Sequence, residues 1–189
     1  MIPAWGKLGR LALAASLLLT AWAQTRRDPL NPNEQDQLRD AAQDPAERLK
    51  LYIQFARTRL TALEQVRADP KITDRAQQTR DRLQDFLDVY DELNDNIDTF
   101  VERKADLRKP LKSVIEADTE FQAKLRALKD AADVPPTETA QYEFVLTNAI
   151  ETVDSATDDH RKLLADQEEA AKHKKLNKNP SAGTGVNPE

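Results

Sequence analysis

No cysteine occurs in this chain, and Gly6, Gly9, Gly183 and Gly185 are its only glycines. The first absence excludes disulfides, a thiol nucleophile and a zinc–thiolate cluster. The second leaves residues 10–182 without the glycine-rich turn that phosphate-cradling or dinucleotide-binding loops need. Aromatics are sparse, at 5% of residues, and there is one methionine. A soft-metal site is therefore not expected. Acidic residues outnumber basic ones, 33 to 28, for a net charge of −5. An acidic surface argues against nucleic acid and anionic membrane as partners, because both attract basic ones.

One apolar run is present, and it lies at the start. Lys7 and Arg10 precede Leu11–Leu19, and Ala21-Trp22-Ala23 is an A-x-A cleavage pattern. Residues 1–23 read as a signal peptide, cleaved after Ala23. An uncleaved anchor is the rival reading, but the run is short for a hydrocarbon layer of roughly 30 Å. With no cysteine after the small residues, a lipid-anchored lipoprotein is excluded. The expected location is periplasmic or secreted, with no stable membrane insertion after cleavage. Loss of Lys7 and Arg10, and of no acid, brings the mature charge to −7.

The remainder reads as all-α, without a strand pattern or internal repeat. Residues 24–44 form a polar N-terminal segment in which Glu34–Gln43 is expected as a loose helix. A helical domain spans 45–172, and a disordered tail 173–189. Asp44-Pro45-Ala46-Glu47 predicts a helix start: a capping carboxylate, proline at the first helical position, and glutamate three residues after the cap. That helix covers about 45–67 and stops at Asp69-Pro70. Val134-Pro135-Pro136-Thr137 is a second break, with Thr137 as the expected cap of a last helix over 138–172.

Between the breaks runs the dominant pattern. Alternating steps of four and three from Ile72 to Leu128 meet almost only apolar residues, including Leu83, Phe86, Tyr90, Leu93, Ile97, Phe100, Leu111, Val114, Phe121 and Leu125. Only Thr79, Lys104 and Asp118 interrupt this stripe. Pro110 falls inside it. Proline there favours a break, yet residues 104–112 contain no glycine, asparagine or serine to build a turn, and the stripe keeps phase across them. The expectation is an elongated antiparallel helical bundle or coiled coil with one long central helix, 72–132, kinked at Pro110. The alternative is a compact four-helix up-down bundle. Net charges alternate along the chain: +3 over 45–67, −6 over 72–102, +3 over 103–132 and −6 over 138–172. The first helix should therefore pair with the acidic half of the spine, and the last with the basic half.

Few residues offer chemistry. Asp81, Asp85, Asp88, Glu92, Asp95, Asp98 and Glu102 form an acidic stripe about 200° around the helix from the apolar one. It is a candidate surface for a basic partner. A calcium loop is not expected there, because that loop needs a glycine-permitted turn. His160 should be a half-buried histidine on a helix face, and His173 a solvated one. Lys104 and Asp118 are expected at the stripe's edge, reaching water. No catalytic, cofactor-binding or metal-ligating residue is assigned. The whole reads as an exported, non-enzymatic helical interaction or scaffold protein of the bacterial cell envelope. A protein partner or self-association is expected. The alternative is a periplasmic helical sensor or holdase that binds a ligand, metal or unfolded client.

Overall fold

A computed structural model of the chain describes residues 28–132 and 134–178. The expected signal segment 1–23 lies outside these, as do residues 179–189 of the expected tail. The described residues are all-helical, with no strand. Their elements are α1 (Pro32–Asp40), α2 (Pro45–Ala68), α3 (Arg75–Glu102), α4 (Arg108–Lys129), the short α5 (Pro136–Thr139) and α6 (Glu143–Lys178). No helix among them is long and apolar enough to cross a membrane.

Local chemistry accounts for the starts. Asn31 opens α1 with a capping box: its side chain accepts from the Glu34 backbone N–H at 3.0 Å, and Glu34 accepts from the Asn31 N–H at 2.9 Å. The Glu34 carboxylate also takes Arg59 at 2.6 Å, which ties α1 to α2. Asp44 caps α2 through the backbone N–H groups of Ala46 and Glu47, and Pro45 occupies the first position. The last helix departs from expectation at both ends. Thr137 belongs to α5, and α6 begins only at Glu143. It then runs through Lys178, so residues 173–178 are helical rather than tail.

The single kinked helix of 72–132 is not what forms. α3 ends at Glu102, and Lys104 has φ 58°, in the left-handed region. The Lys104 N–H donates to the Val101 carbonyl at 2.9 Å and the Ala105 N–H to the Phe100 carbonyl at 3.0 Å. This is a Schellman ending with lysine where glycine is usual. On the far side of the turn, Gln167 of α6 accepts from the Leu107 N–H at 2.8 Å and donates to the Ala105 carbonyl at 3.3 Å. A partner distant in sequence thus holds the turn that local residues do not encode. Asp106 accepts from the Arg108 backbone and side chain, hydrogen bonds that lower its carboxyl to about 2. Pro110 sits in the first turn of α4, where a helical N–H has no intrahelical acceptor. Two substitutions test this ending by urea denaturation. Lys104→Gly should raise stability by about 0.5–1 kcal/mol by removing the left-handed Cβ penalty. Pro110→Ala should be neutral or cost up to about 1 kcal/mol. A clear gain from Pro110→Ala would return the kinked helix.

Reversal at Lys104 lays α4 antiparallel to α3, but the two do not lie side by side. α2 packs beside α3 and α4, and α6 beside α4 and α3. α3 and α4 face each other across the core: Phe121 meets Phe86 edge-on with ring centroids 5.4 Å apart, and the Tyr90 ring edge-on at 6.1 Å. Phe86 stacks on Tyr90 at 5.7 Å. Arg57–Glu120 and Glu64–Lys124 join α2 to α4 with both numbers rising, so these neighbours are parallel. Arg126–Asp154 and Lys112–Glu168 join α4 to α6 in opposite directions. It follows that α3 and α6 are parallel too. The expected pairings of α2 with α3 and of α4 with α6 are present. The same arrangement sets the two acidic helices, α3 and α6, next to each other.

Candidate functional site

The polar interruption of the stripe leads to the site. Asp118 is fully buried, not at an edge, and His160 is only 4% exposed. Each oxygen of the Asp118 carboxylate is used. Oδ1 accepts from the Tyr90 hydroxyl at 2.8 Å, and Oδ2 lies 2.9 Å from Nδ1 of His160. Three helices contribute: α3 gives Tyr90, α4 gives Asp118 and α6 gives His160. One turn away, Gln122 of α4 donates to the buried Thr157 hydroxyl at 3.1 Å, which continues the polar seam between α4 and α6.

A buried carboxylate tolerates burial only when its lone pairs are taken. Asp118 meets that condition with two donors. Burial, and then the Asp118 charge, push the Tyr90 hydroxyl far above its ordinary range, so it stays a neutral donor. A carboxylate can only accept, so Nδ1 carries the proton. The pair fixes the orientation of the His160 ring.

His160 lines a groove of about 650 Å³ between α3 and α6. Ile97, Val101, Ala156 and Leu163 supply apolar wall, with Val101 37% exposed. Asp98, Glu151 and Asp159 bring carboxylates, and no lysine or arginine lines it. The side-chain carbonyl oxygen of Asn94, another lining residue, is buried without a hydrogen-bond partner. The groove thus offers negative charge beside an apolar wall. No group of three or more metal-ligating side chains occurs among the described residues.

The acidic stripe does not form one surface. Asp81, Asp95 and Glu102 are exposed on α3. Asp85 and Asp88 turn toward α2, beside Arg59 and Arg82, and Arg82 reaches Asp85 at 3.1 Å. Glu92 is half-buried and lies close enough to act on the Tyr52 hydroxyl electrostatically. Only Asp98 faces the groove. A second polar cluster lies where α5 meets the ends of α2 and α3. There Glu138 pairs with Arg75 at 2.8 Å and Arg67 at 3.5 Å, and Arg67 lies over the Tyr142 ring. Hydrogen bonding from Arg75 lowers the Glu138 carboxyl. Its charges answer one another, which suits a structural tie.

Sequence reading missed Tyr90 as a polar group and missed the pairing of Asp118 with His160. The available signal was a charged residue at a stripe position together with a histidine on an apolar helix face. Comparison of the chain with protein-family models, with curated proteins and with solved structures finds no match.

Proposed function

We propose that this chain is an exported, non-enzymatic interaction protein of the bacterial cell envelope, which holds a partner in the groove between α3 and α6. Its helices form a compact four-helix bundle whose α3–α4 connection crosses the diagonal. The observation that carries the reading is the juxtaposition of two parallel acidic helices around an apolar wall. Helix-in-groove recognition uses such walls for affinity and such charges for choice of partner. A holdase or sensor role would use the same apolar wall, through Ile97, Val101 and Leu163, for an unfolded client or small ligand.

Capture from a native envelope extract tests the assignment. Asp98→Lys with Asp159→Lys reverses charge in the groove, whereas Asp81→Lys with Asp95→Lys does so on the outer face of α3. The groove pair should abolish capture and the outer pair should leave it. The opposite pattern would move the partner to the outer face and end this reading. Capture of many unrelated unfolded chains would favour the holdase.

A further inference from the structure

We propose that one pole of the bundle, formed by the α3–α4 turn and the outer end of α6, docks on an anionic lipid surface through its lysine and arginine side chains, without insertion.

Three features of the molecule carry this. First, cations are in excess there and unpaired. Residues 103–112 hold Arg103, Lys104, Arg108, Lys109 and Lys112 against Asp106, and residues 170–175 hold Lys172, Lys174 and Lys175 against no acid. The fold brings the two runs together. Gln167 of α6 binds the Leu107 N–H and the Ala105 carbonyl, Lys112 meets Glu168 at 3.3 Å, and Lys174 lies close enough to act on Asp106 electrostatically. Asp106 is taken by Arg108 and Glu168 by Lys112. Arg103, Lys104, Lys109, Lys172, Lys174 and Lys175 are exposed and make no ion pair among the described residues. Against these six stand only Glu102, Asp166 and Glu169. Elsewhere Arg57, Arg59, Arg75 and Arg126 each meet a carboxylate. Second, α6 outruns its neighbours. Gln167 lies level with the α3–α4 turn, so residues 168–178 extend about 16 Å beyond it at 1.5 Å per residue. Third, the apex of the turn is Lys104 at φ 58°, a backbone position that favours glycine. A charge stands there against local preference.

The arrangement of these cations selects the partner. The open cleft at the start of α4 is filled by the Arg108–Asp106 and Lys112–Glu168 pairs, which leaves no cradle for a single anion. Residues 101–112 and 161–178 contain no Phe, Tyr or Trp on which a nucleic-acid base could stack. Lysines spread over a protruding pole suit a plane of anionic headgroups, which can move to meet them. The acidic remainder does not oppose this contact. Charge acts over a Debye length, about 8 Å at physiological salt. Asp159 lies thirteen residues from Lys172 on the same helix, about 20 Å away. Net charge averages over the whole molecule, whereas a surface touching the pole meets its cations.

Sedimentation of the exported protein with vesicles tests this. It should bind vesicles of equal parts phosphatidylglycerol and phosphatidylcholine, and not vesicles of phosphatidylcholine alone. Binding should fall about tenfold or more as salt rises from about 0.05 to 0.5 M. Lys172→Glu with Lys175→Glu should weaken it by about tenfold or more. Lys71→Glu with Lys129→Glu makes the same change of net charge at the opposite pole, and should alter binding less than about twofold. Lys104→Gly should weaken binding about fivefold while raising the urea midpoint, a combination that loss of fold cannot produce. Equal binding to neutral vesicles, equal effects of the two double variants, or unchanged binding in Lys104→Gly overturns the proposal. Binding of soluble polyglutamate by this pole, with no binding to anionic vesicles, would make the partner an acidic protein and overturn the lipid surface.

Discussion

Asp118→Ala should cost about 3–5 kcal/mol, measured as a shift in the urea midpoint at unchanged slope. The substitution leaves two donors without an acceptor, the Tyr90 hydroxyl and Nδ1–H of His160, both buried. Each orphaned donor carries its own desolvation penalty of roughly 1–3 kcal/mol, and a small cavity adds to it. Such a loss is a large part of the 5–15 kcal/mol that usually separates folded from unfolded chains. Asp118→Asn should cost much less, about 1–2 kcal/mol. The asparagine oxygen still accepts from Tyr90, and its amide can donate to Nδ1 once the imidazole proton moves to Nε2. That variant therefore carries a second signature: the histidine tautomer inverts, which nitrogen NMR of the ring detects. An Asp118→Asn protein as unstable as Asp118→Ala would mean that charge, not hydrogen bonding, holds the network.

Much of this architecture was legible. The stripe names the inward face of α3 and α4 correctly: Leu83, Phe86, Tyr90, Leu93, Leu111, Val114, Phe121 and Leu125 are all fully buried. The break between the two helices was hidden for a physical reason. Helices commonly end on a left-handed glycine, and here the left-handed residue is Lys104, which local propensity does not single out. The energy that holds it comes from Gln167, sixty residues beyond Leu107, and from the core that closes behind it. One clue was present in Lys104 itself, a charged interruption of an apolar stripe. With the reversal placed there, Tyr90 and Asp118 stand fourteen residues to either side and must meet. The pairing with His160 then follows from packing α6 on α4. The acidic stripe misled because carboxylates two steps from the apolar face were treated as one outward surface. Once α2 and α6 flank α3, its two sides look onto different neighbours, and Asp85 and Asp98 part company.

Phe86→Ala should likewise cost about 3–5 kcal/mol, against less than about 0.5 for Asp95→Ala on the exposed face of the same helix. The ring is fully buried and touches both Tyr90 and Phe121. Equal effects from the two substitutions would mean the helix faces are assigned wrongly. The double variant Phe86→Ala/Phe121→Ala tests more than burial. With the rings edge-to-face at 5.4 Å, the first deletion already removes contacts that the second would break, and both open onto one cavity. The combined loss should fall short of the sum by about 0.5–1.5 kcal/mol. In a continuous helix the two residues would lie thirty-five positions apart, about 52 Å at 1.5 Å per residue, and their effects would simply add. Strict additivity would thus reinstate the long spine. It would also separate Tyr90 from Asp118 and remove the basis for an oriented His160 at the groove. A shortfall places the reversal at Lys104 and ties the aromatic core to the proton-bearing network beside it.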